Sequence, residues 1–299
     1  LQMRDPSRPF FLTVSYFHPH PPLVPPQHYF DRYLGMDLPE ATIGDWATRP
    51  ADDGLGLPPA SDVVCLEGQM RRQAQAGYFG LITHLDDQIS RLLGVHTGVP
   101  RGVLPNTLVV FTSDHGEMLG DHYLFRKTYP YEGSARVPML FQGPGIAPGA
   151  VLDRPVTHAD LMPTFLDFAG ADIPDCVDGE NLAPLLRGDA PPSDNRILHG
   201  EHAICYRPEQ ANHYLVSDTH EYLWFTQTGE EHLFDLVNDP GETTDLIGDQ
   251  AQADVWRNRL IERLRDRPEG FTDGENLIVG RPHRNLVADG AADAVKMDG

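Results

Sequence analysis

Apolar and polar positions alternate along the first part of the chain in a pattern that predicts strand, helix and strand. Residues 9–16, PFFLTVSY, and residues 108–111, LVVF, are short apolar runs of the kind that form buried strands in parallel sheets. Between them, apolar residues recur at steps of three and four, which predicts an amphipathic helix over residues 67–93 that Gly94 ends. This is the order of a βαβ unit, whose crossover brings both strand ends to one sheet edge.

Two more elements follow in the same region. The run VPMLF predicts a third short strand over residues 137–141, and residues 158–168 have the pattern of a helix. Residues 34–59 are rich in Pro, Gly and Asp without a regular period, so we expect a surface loop or a pocket rim there. These elements predict an α/β domain over residues 1–190.

The pattern changes after residue 190. Four short alternating stretches appear between turn residues, at 196–199, 213–216, 221–226 and 231–236. This spacing is typical of an antiparallel meander. An amphipathic helix is predicted at 253–265, and the last thirty residues have no period. We therefore predict a C-terminal unit, residues 191–299, of antiparallel sheet, helix and tail.

Composition and charge exclude some classes of protein. The 299 residues are 40% hydrophobic and 22% charged, which is ordinary for a globular protein. The formal charge of −21 argues against nucleic-acid binding, which needs a basic surface. No run approaches the ~18 apolar residues of a membrane span, so no membrane partner is expected. The three cysteines are odd in number and far apart, which indicates neither a disulfide framework nor a zinc site.

The start of the chain bears on localisation. Leu1 stands where a Met would begin a reading frame, and a predicted strand follows within ten residues. We interpret this as a cut or processed start. Cytoplasmic and periplasmic locations therefore both stay open.

Candidate chemistry collects where the predicted strands end. Asp114 and His115 follow strand 108–111 directly, and His20 lies between prolines after strand 9–16. Ligands of open α/β sheets bind outside the carboxyl ends of the strands. With Lys127 downstream, this arrangement suggests a cation that holds an oxyanion.

Each of these residues also has an ordinary structural interpretation. Asp114 could be a helix N-cap, and a lone Lys127 in a loop usually faces solvent. Arg136 could pair with Glu132 across a turn. His20, in its stiff frame, is suited either to hydrogen bonding or to general acid catalysis. The residues alone leave both interpretations open.

The central stretch SDHGEMLGDHYLFRKTYPYEGSARVP, residues 113–138, resembles the central motif of the sulfatase family in the alkaline phosphatase superfamily. Its arylsulfatase, choline-sulfatase and phosphonate-monoesterase branches are the most similar. Other segments resemble family segments in the same order, namely PFFLTVSYFHPHPP, GYFGLITHLDDQISRLL, THADLMPTFLDFAG to DGENLAPLLRG, and HLFDLVNDPGETTDL. The resemblance implies an α/β fold: a mixed, largely parallel sheet flanked by helices, with a small C-terminal antiparallel sheet and helix.

The resemblance also implies roles for four residues. Asp114 and His115 match the second pair of metal ligands of the family. Lys127 matches the lysine that contacts the sulfuryl or phosphoryl group, and His20 matches the histidine near the leaving-group oxygen. The implied cofactor is a divalent metal, usually calcium, with manganese or zinc left open by the imidazole ligand.

Three further residues of the central motif are expected to shape the loop rather than to react. They are Glu117, His122 and Arg136. The implied substrate is a small-molecule sulfate or phosphonate ester. A homo-oligomer formed through the tail beyond Gly270 is a further expectation.

Two features of the family pattern are absent from the sequence. Sulfatases carry an N-terminal Asp-Asp pair and a Cys-x-Pro-x-Arg or Ser-x-Pro-x-Arg signature, whose first residue becomes the formylglycine nucleophile. Here Pro6 and Arg8 have the right spacing, but Arg4 occupies the nucleophile position. We therefore expect the C-terminal two-thirds of a sulfatase, inactive alone. Two other functions stay open: a phosphonate or phosphate ester hydrolase of the superfamily, including one with a Ser or Thr nucleophile, and a non-catalytic sulfatase-like binding module.

Overall fold

A computed structural model of the chain describes residues 5, 7–50, 62–94, 104–189, 195–203 and 206–282. Its helices are α1 (Gln27–Leu34), α2 (Gly68–Leu92), α3 (Glu132–Ala135), α4 (Leu161–Ala169), α5 (Ala183–Arg187) and α6 (Gln250–Leu264). Its strands are β1 (Val109–Thr112), β2 (Met139–Gln142), β3 (Leu198–His202), β4 (Asn212–Val216), β5 (His220–Phe225) and β6 (Glu231–Asp235). Among these residues, no helix has the length and apolar character needed to cross a bilayer.

Helix α2 forms where the period of three and four predicts it. It packs against α1 and the segment before it because two glycines on one face let the backbones approach closely. A Cβ at Gly77 would lie 2.4 Å from the carbonyl oxygen of Leu23, and one at Gly80 would lie 2.7 Å from Pro25. The sequence pattern did not predict α1. Its last residue lies inside the predicted loop over 34–59, of which residues 51–59 are outside the described part.

Strands β1 and β2 form a two-stranded antiparallel sheet. Both strands lie within two residues of their predicted positions. The predicted parallel pairing of residues 108–111 with residues 9–16 does not occur among the described residues, where β1 pairs with β2 instead. The loop between the two strands returns the chain beside β1 in the opposite direction, so Val109 pairs with Gln142 and Thr112 with Met139.

The predicted strand over residues 9–16 is not a strand in this structure. The segment is irregular, and its side chains are exposed, with Phe11 77% and Leu12 52% accessible. A strand needs a neighbour to pair its backbone groups. No described strand lies beside this segment in a ladder, so the predicted burial was wrong.

The predicted meander is confirmed in the C-terminal part. Strands β3, β4, β5 and β6 form one antiparallel sheet in sequence order. Helix α6 covers one face of this sheet through Trp256, Leu260 and Leu264, which pack against Tyr222 and Trp224. Phe271 is fully buried in the same cluster. The beginning of the predicted tail therefore belongs to this core, while residues 283–299 lie outside the described part.

The other face of the C-terminal sheet shares a core with the central segment. Leu223, Phe225 and Phe234 of the sheet pack with Met118, Tyr129 and Tyr131. This core joins residues on both sides of the predicted domain boundary at residue 190. The boundary itself stays a prediction, and the shared core fixes the central segment against the sheet.

Candidate active site

The candidate site begins where β1 ends. Ser113 Oγ donates a hydrogen bond to the carbonyl of His115 at 2.7 Å, which turns the chain sharply. The His115 backbone N–H donates to Asp114 Oδ1 at 3.1 Å. The turn therefore presents the Asp114 carboxylate and the His115 imidazole side by side, as the sequence predicts.

The imidazole of His115 has a defined tautomer. Its Nδ1 lies 2.8 Å from the carbonyl oxygen of Gly116, and because a carbonyl can only accept, Nδ1 carries the hydrogen. The lone pair of Nε2 is then available, 3.7 Å from Asp114 Oδ2. The Asp114 side chain is 86% exposed, so its oxygens are accessible to further groups. Fixing one ring nitrogen by a backbone carbonyl is how proteins orient metal-binding histidines.

Gly116 anchors this turn to the short helix α3. Its N–H donates to the carbonyl of Ser134 at 2.8 Å. Only glycine fits here, because a Cβ would lie 2.2 Å from the carbonyl oxygen of Gly133. The position of His115 is therefore tied to the segment that follows the Lys127 loop.

His20 and Lys127 form the second half of the site. His20 Nδ1 lies 2.8 Å from the carbonyl oxygen of Pro21, so this nitrogen carries the hydrogen. Lys127 Nζ donates to the remaining nitrogen, Nε2, at 2.9 Å. The rings of His20 and His115 lie 6.4 Å apart between centroids. The structure thus brings the four predicted site residues to one place.

The loop that carries Lys127 has an unusual backbone. Leu119, His122, Tyr123, Arg126 and Thr128 all have positive φ angles. Each such residue is strained unless its surroundings hold it. Glu117 supplies part of that support, because its carboxylate accepts the backbone N–H groups of Leu119, at 3.1 Å, and of Arg126.

His122 is a buried residue of the same loop. Its N–H donates to the carbonyl of Thr42 at 2.7 Å, and its Nδ1 accepts from Gly44 N–H at 3.0 Å. Burial lowers the pKa of His122 to about 4, so the ring is neutral and able to accept this bond. Glu117 and His122 thus contact loop backbone, in agreement with the expected shaping role.

Arg136 points to Glu132 rather than into the site. Its guanidinium donates to the Glu132 carboxylate at 2.8 Å, one helical turn away, and its side chain is mostly exposed. The ion pair that the sequence suggests is therefore the one that forms.

His158 is a neighbour of the site that the sequence pattern did not single out. Its Nε2 lies 3.0 Å from Thr112 Oγ1, two residues before Asp114. In the sequence, His158 appears only as the start of the helix that becomes α4. The contact joins residues 46 positions apart, and no local pattern predicts it.

The donor atoms fit half of a metal site. In the part of the chain that the structure describes, no three His, Cys, Asp or Glu side chains converge in a metal-binding cluster. A calcium ion needs ~6–8 oxygen ligands, and zinc usually takes three or four ligands. Asp114 and His115 can provide two ligands to a divalent cation, and other groups must supply the rest.

Comparisons with known protein families concern the chain as a whole. The family model for sulfatases matches residues 1–171, more than half of the chain. The model described as the C-terminal part of N-sulphoglucosamine sulphohydrolase matches residues 120–269.

Individual sulfatases and a related hydrolase are similar to the chain over most of its length. An arylsulfatase of Clostridium perfringens is 44% identical over 297 residues, covering 96% of this chain and 60% of the relative. A choline-sulfatase of Rhizobium meliloti is 33% identical and covers 84% and 50%, respectively. The solved structure of the phosphonate monoester hydrolase of Agrobacterium radiobacter matches with a TM-score of 0.69 at 27% identity, covering 88% of this chain and 57% of that one. The predicted α/β fold class, that of the alkaline phosphatase superfamily, is thereby confirmed, and the chain spans 50–60% of these proteins.

Proposed function

The chain belongs to the sulfatase family of the alkaline phosphatase superfamily, and on that premise we propose that it forms part of a metal-dependent sulfuric ester hydrolase. The observation that carries the proposal is the convergence of Asp114, His115, His20 and Lys127 beyond the end of β1. A sulfate ester needs positive charge on its terminal oxygens and assistance to its leaving group. These four residues are of the types that supply both.

In this proposal Asp114 and His115 are two ligands of a divalent cation. The cation, when bound, would act as a Lewis acid on the ester and stabilise developing negative charge. Calcium is the expected ion, and the imidazole of His115 also suits manganese or zinc. The Nε2 lone pair of His115, fixed by the bond of Nδ1 to Gly116, is the feature of this chain that supports such a role.

Lys127 and His20 act on the two ends of the scissile bond. Lys127 Nζ donates to an anionic oxygen of the ester in place of its present acceptor, His20 Nε2. His20 Nε2, once protonated, gives its proton to the departing oxygen. The bond of His20 Nδ1 to Pro21 holds the ring so that Nε2 faces the site.

The nucleophile comes from outside these 299 residues. The formylglycine signature of the family is absent from the sequence, and the missing metal ligands correspond to the family's Asp-Asp pair. The exposed apolar segment 10–17 is consistent with this proposal, because a partner strand would cover Phe11 and Leu12. We therefore expect this chain alone to lack esterase activity.

A second candidate function is hydrolysis of a phosphonate or phosphate ester. The structural similarity to a phosphonate monoester hydrolase, with a TM-score of 0.69, favours this candidate over a non-catalytic binding module. Sulfate and phosphonate esters share the anionic tetrahedral centre that the same residues would bind. The choice between the two esters depends on the nucleophile and on the remaining pocket.

The test is turnover of an aryl sulfate and an aryl phosphonate by the purified 299-residue protein with calcium or manganese. We expect no turnover, whereas a longer frame carrying the Asp-Asp pair and the nucleophile signature should be active. Asp114→Ala and Lys127→Ala in that longer protein should abolish activity, and Asp86→Ala, an exposed position of α2, should leave it unchanged. Robust metal-dependent turnover by the short chain, lost in Asp114→Ala, would refute the claim of incompleteness.

A further inference from the structure

Asp62 holds both ends of the short segment that carries Lys127. Its carbonyl oxygen accepts the N–H of Phe125, two residues before Lys127, at 2.9 Å. Its carboxylate accepts the hydroxyl of Tyr129, two residues after Lys127. One residue, distant in sequence, thus fixes the entry and the exit of this segment.

The segment between these two points cannot hold its own shape. Arg126 and Thr128, the neighbours of Lys127, have φ angles of 70° and 88°. For a β-branched residue such as Thr128 this is a rare conformation, which costs on the order of 1–3 kcal/mol. The direction in which Lys127 leaves the backbone therefore depends on external contacts.

Glu117 and Met118 bind the backbone of Arg126, and the C-terminal sheet region provides further contacts. Arg207 donates to the Asp62 carboxylate at 3.1 Å, and the amide of Gln210 donates to the same carboxylate and to Tyr129 Oη, the latter at 2.6 Å. Asn212 Nδ2, fully buried at the start of β4, donates to the carbonyl of Thr128 at 3.3 Å. Three residues beyond residue 200 thus bind the backbone or the anchor of the Lys127 segment.

The Tyr129 hydroxyl stays a hydrogen-bond donor to high pH. Burial and the neighbouring Asp62 carboxylate raise the pKa of Tyr129, so the hydroxyl stays protonated and donates. Asp62 and Gln210 are both buried, where such charge-assisted bonds are strong and geometrically demanding.

We propose that Asp62, with Tyr129, Gln210 and Asn212, is the positioning unit for Lys127, so that the C-terminal sheet region sets the direction of the oxyanion-binding ammonium. This inference rests on the function proposed above for Lys127. It assigns the C-terminal region a part in substrate binding that acts through Lys127. The residues named are positioning residues, since they act through Lys127.

The sequence permits a selective test. It contains two lysines, Lys127 and Lys296, so a protein labelled with isotope at lysine gives two sets of side-chain signals. A Lys296→Arg variant assigns them. The chemical shift and line width of the Lys127 signal then report the position and mobility of its side chain without any need for turnover.

The variants are Asp62→Asn, which places an amide beside the Gln210 and Arg207 donors, and Tyr129→Phe, which removes only the hydroxyl. In both we expect the Lys127 signal to shift and to sharpen through greater mobility. We also expect the affinity for inorganic sulfate, followed on the same signal, to fall about tenfold. If Asp62→Asn fails to fold, as judged by circular dichroism, Tyr129→Phe still decides.

The matched control is Asp245→Asn. Asp245 is another largely buried carboxylate, bonded to His232 and to the N–H groups of Leu233 and Ile247, and these partners lie outside the Lys127 segment. It should lower stability while leaving the Lys127 signal in place. An unchanged Lys127 signal in folded Tyr129→Phe and Asp62→Asn would overturn the positioning role. A shifted signal in these variants, combined with no response of wild-type Lys127 to sulfate, would support the positioning unit and reject the oxyanion role.

Discussion

Two stretches of this chain have similar apolar sequences and opposite environments. The segment FFLTVSYF, residues 10–17, leaves Phe11 77% and Leu12 52% exposed. Strand β5, HEYLWF, buries Leu223 and Trp224 almost completely. The difference lies in their neighbours, because β5 pairs with β4 on one side and β6 on the other. An apolar run therefore predicts a tendency to form a buried strand, and the presence of pairing partners decides whether it does.

The comparison also separates two kinds of apolar surface. Side chains around β5 fill two clusters, one under α6 and one shared with Tyr129 and Tyr131 of the central segment. In the segment 10–17, Phe11 contacts Phe165 of α4, at 5.8 Å between ring centroids, and still remains largely exposed. Exposed apolar runs of this length commonly mark surfaces that another polypeptide covers.

The largest expected effect is on the free energy of unfolding and comes from a substitution in the buried strand β5. Trp224→Ala should lower the free energy of unfolding by about 3–5 kcal/mol, because it removes a fully buried indole from the core beneath α6. Urea denaturation followed by far-UV circular dichroism measures the change. A loss below about 1 kcal/mol would contradict the close packing of Trp224 in this core.

A pH effect of intermediate size comes from the same sheet. Glu242 and Glu221 of β5 are buried together, and each has a carboxylate oxygen with no hydrogen-bond partner among the described residues. Burial raises the pKa of Glu242 to about 7, and the nearby Glu132 and Asp239 add to the increase. Burial and the Glu242 carboxylate also raise the pKa of Glu221. The folded protein therefore retains protons that the unfolded chain releases near its ordinary pKa of 4.5.

The sign of this effect follows directly. The contribution of protonated Glu242 to the free energy of unfolding is fully present below the unfolded pKa of 4.5. It is lost as the pH rises through the folded pKa of about 7, by roughly 3 kcal/mol. Glu242→Gln should flatten the loss between about pH 5 and pH 7, and Glu209→Gln, at an exposed position, should not. The measurement is the free energy of unfolding from urea denaturation at a series of pH values, compared between each variant and the wild type. Burial lowers the pKa of His232, but its bonds to Asp245 and Glu230 outweigh burial and raise that pKa to about 9. This adds a loss of stability of the same sign at higher pH, common to both proteins. If the free energy of unfolding falls equally with pH in Glu242→Gln and in the wild type, the prediction is wrong.

The smallest expected effect on the free energy of unfolding comes from a substitution in the exposed segment 10–17. Phe11→Ala should change the free energy of unfolding by less than about 0.5 kcal/mol, because little of this side chain is removed from water. Calorimetric melting of the two proteins measures it, with solubility as a second observable. In a longer protein that covers residues 10–17, the same substitution should cost about 3–5 kcal/mol, as it does in cores. Equal small effects in both proteins would show that the segment stays uncovered.

Elements with a local signal could be predicted from the sequence. The period of α2 predicted its span to within one residue at either end, and Gly94 takes the positive φ of 80° expected at a helix end. The four strands of the C-terminal sheet alternate clearly and lie near their predicted positions. The irregular backbone of residues 9–16 and the antiparallel pairing of β1 with β2 were not predictable in this way, because they depend on which strands are available as neighbours.

The residues of the site also differ in whether a local sequence signal predicts them. Asp114, His115, Lys127 and His20 were predicted from motif and resemblance, and the structure brings them together, although their roles stay predictions. Asp62 had no signal, because its partners Tyr129 and Gln210 are 67 and 148 positions away in the sequence. Contacts of this kind arise only from the tertiary fold, and the periodicity of the sequence does not predict them.

The junction around Trp46 restricts how such a protein can be recombined. Its indole N–H donates to the carbonyl of Glu242 at 2.7 Å, and its ring stacks on Tyr131 with centroids 4.7 Å apart. The carboxylate of Glu242 in turn accepts the N–H of Glu132 at 3.0 Å. These are specific pairs rather than interchangeable apolar contacts. A C-terminal unit grafted from a relative would therefore have to place a backbone carbonyl beside Trp46 and a carboxylate beside the N–H of Glu132.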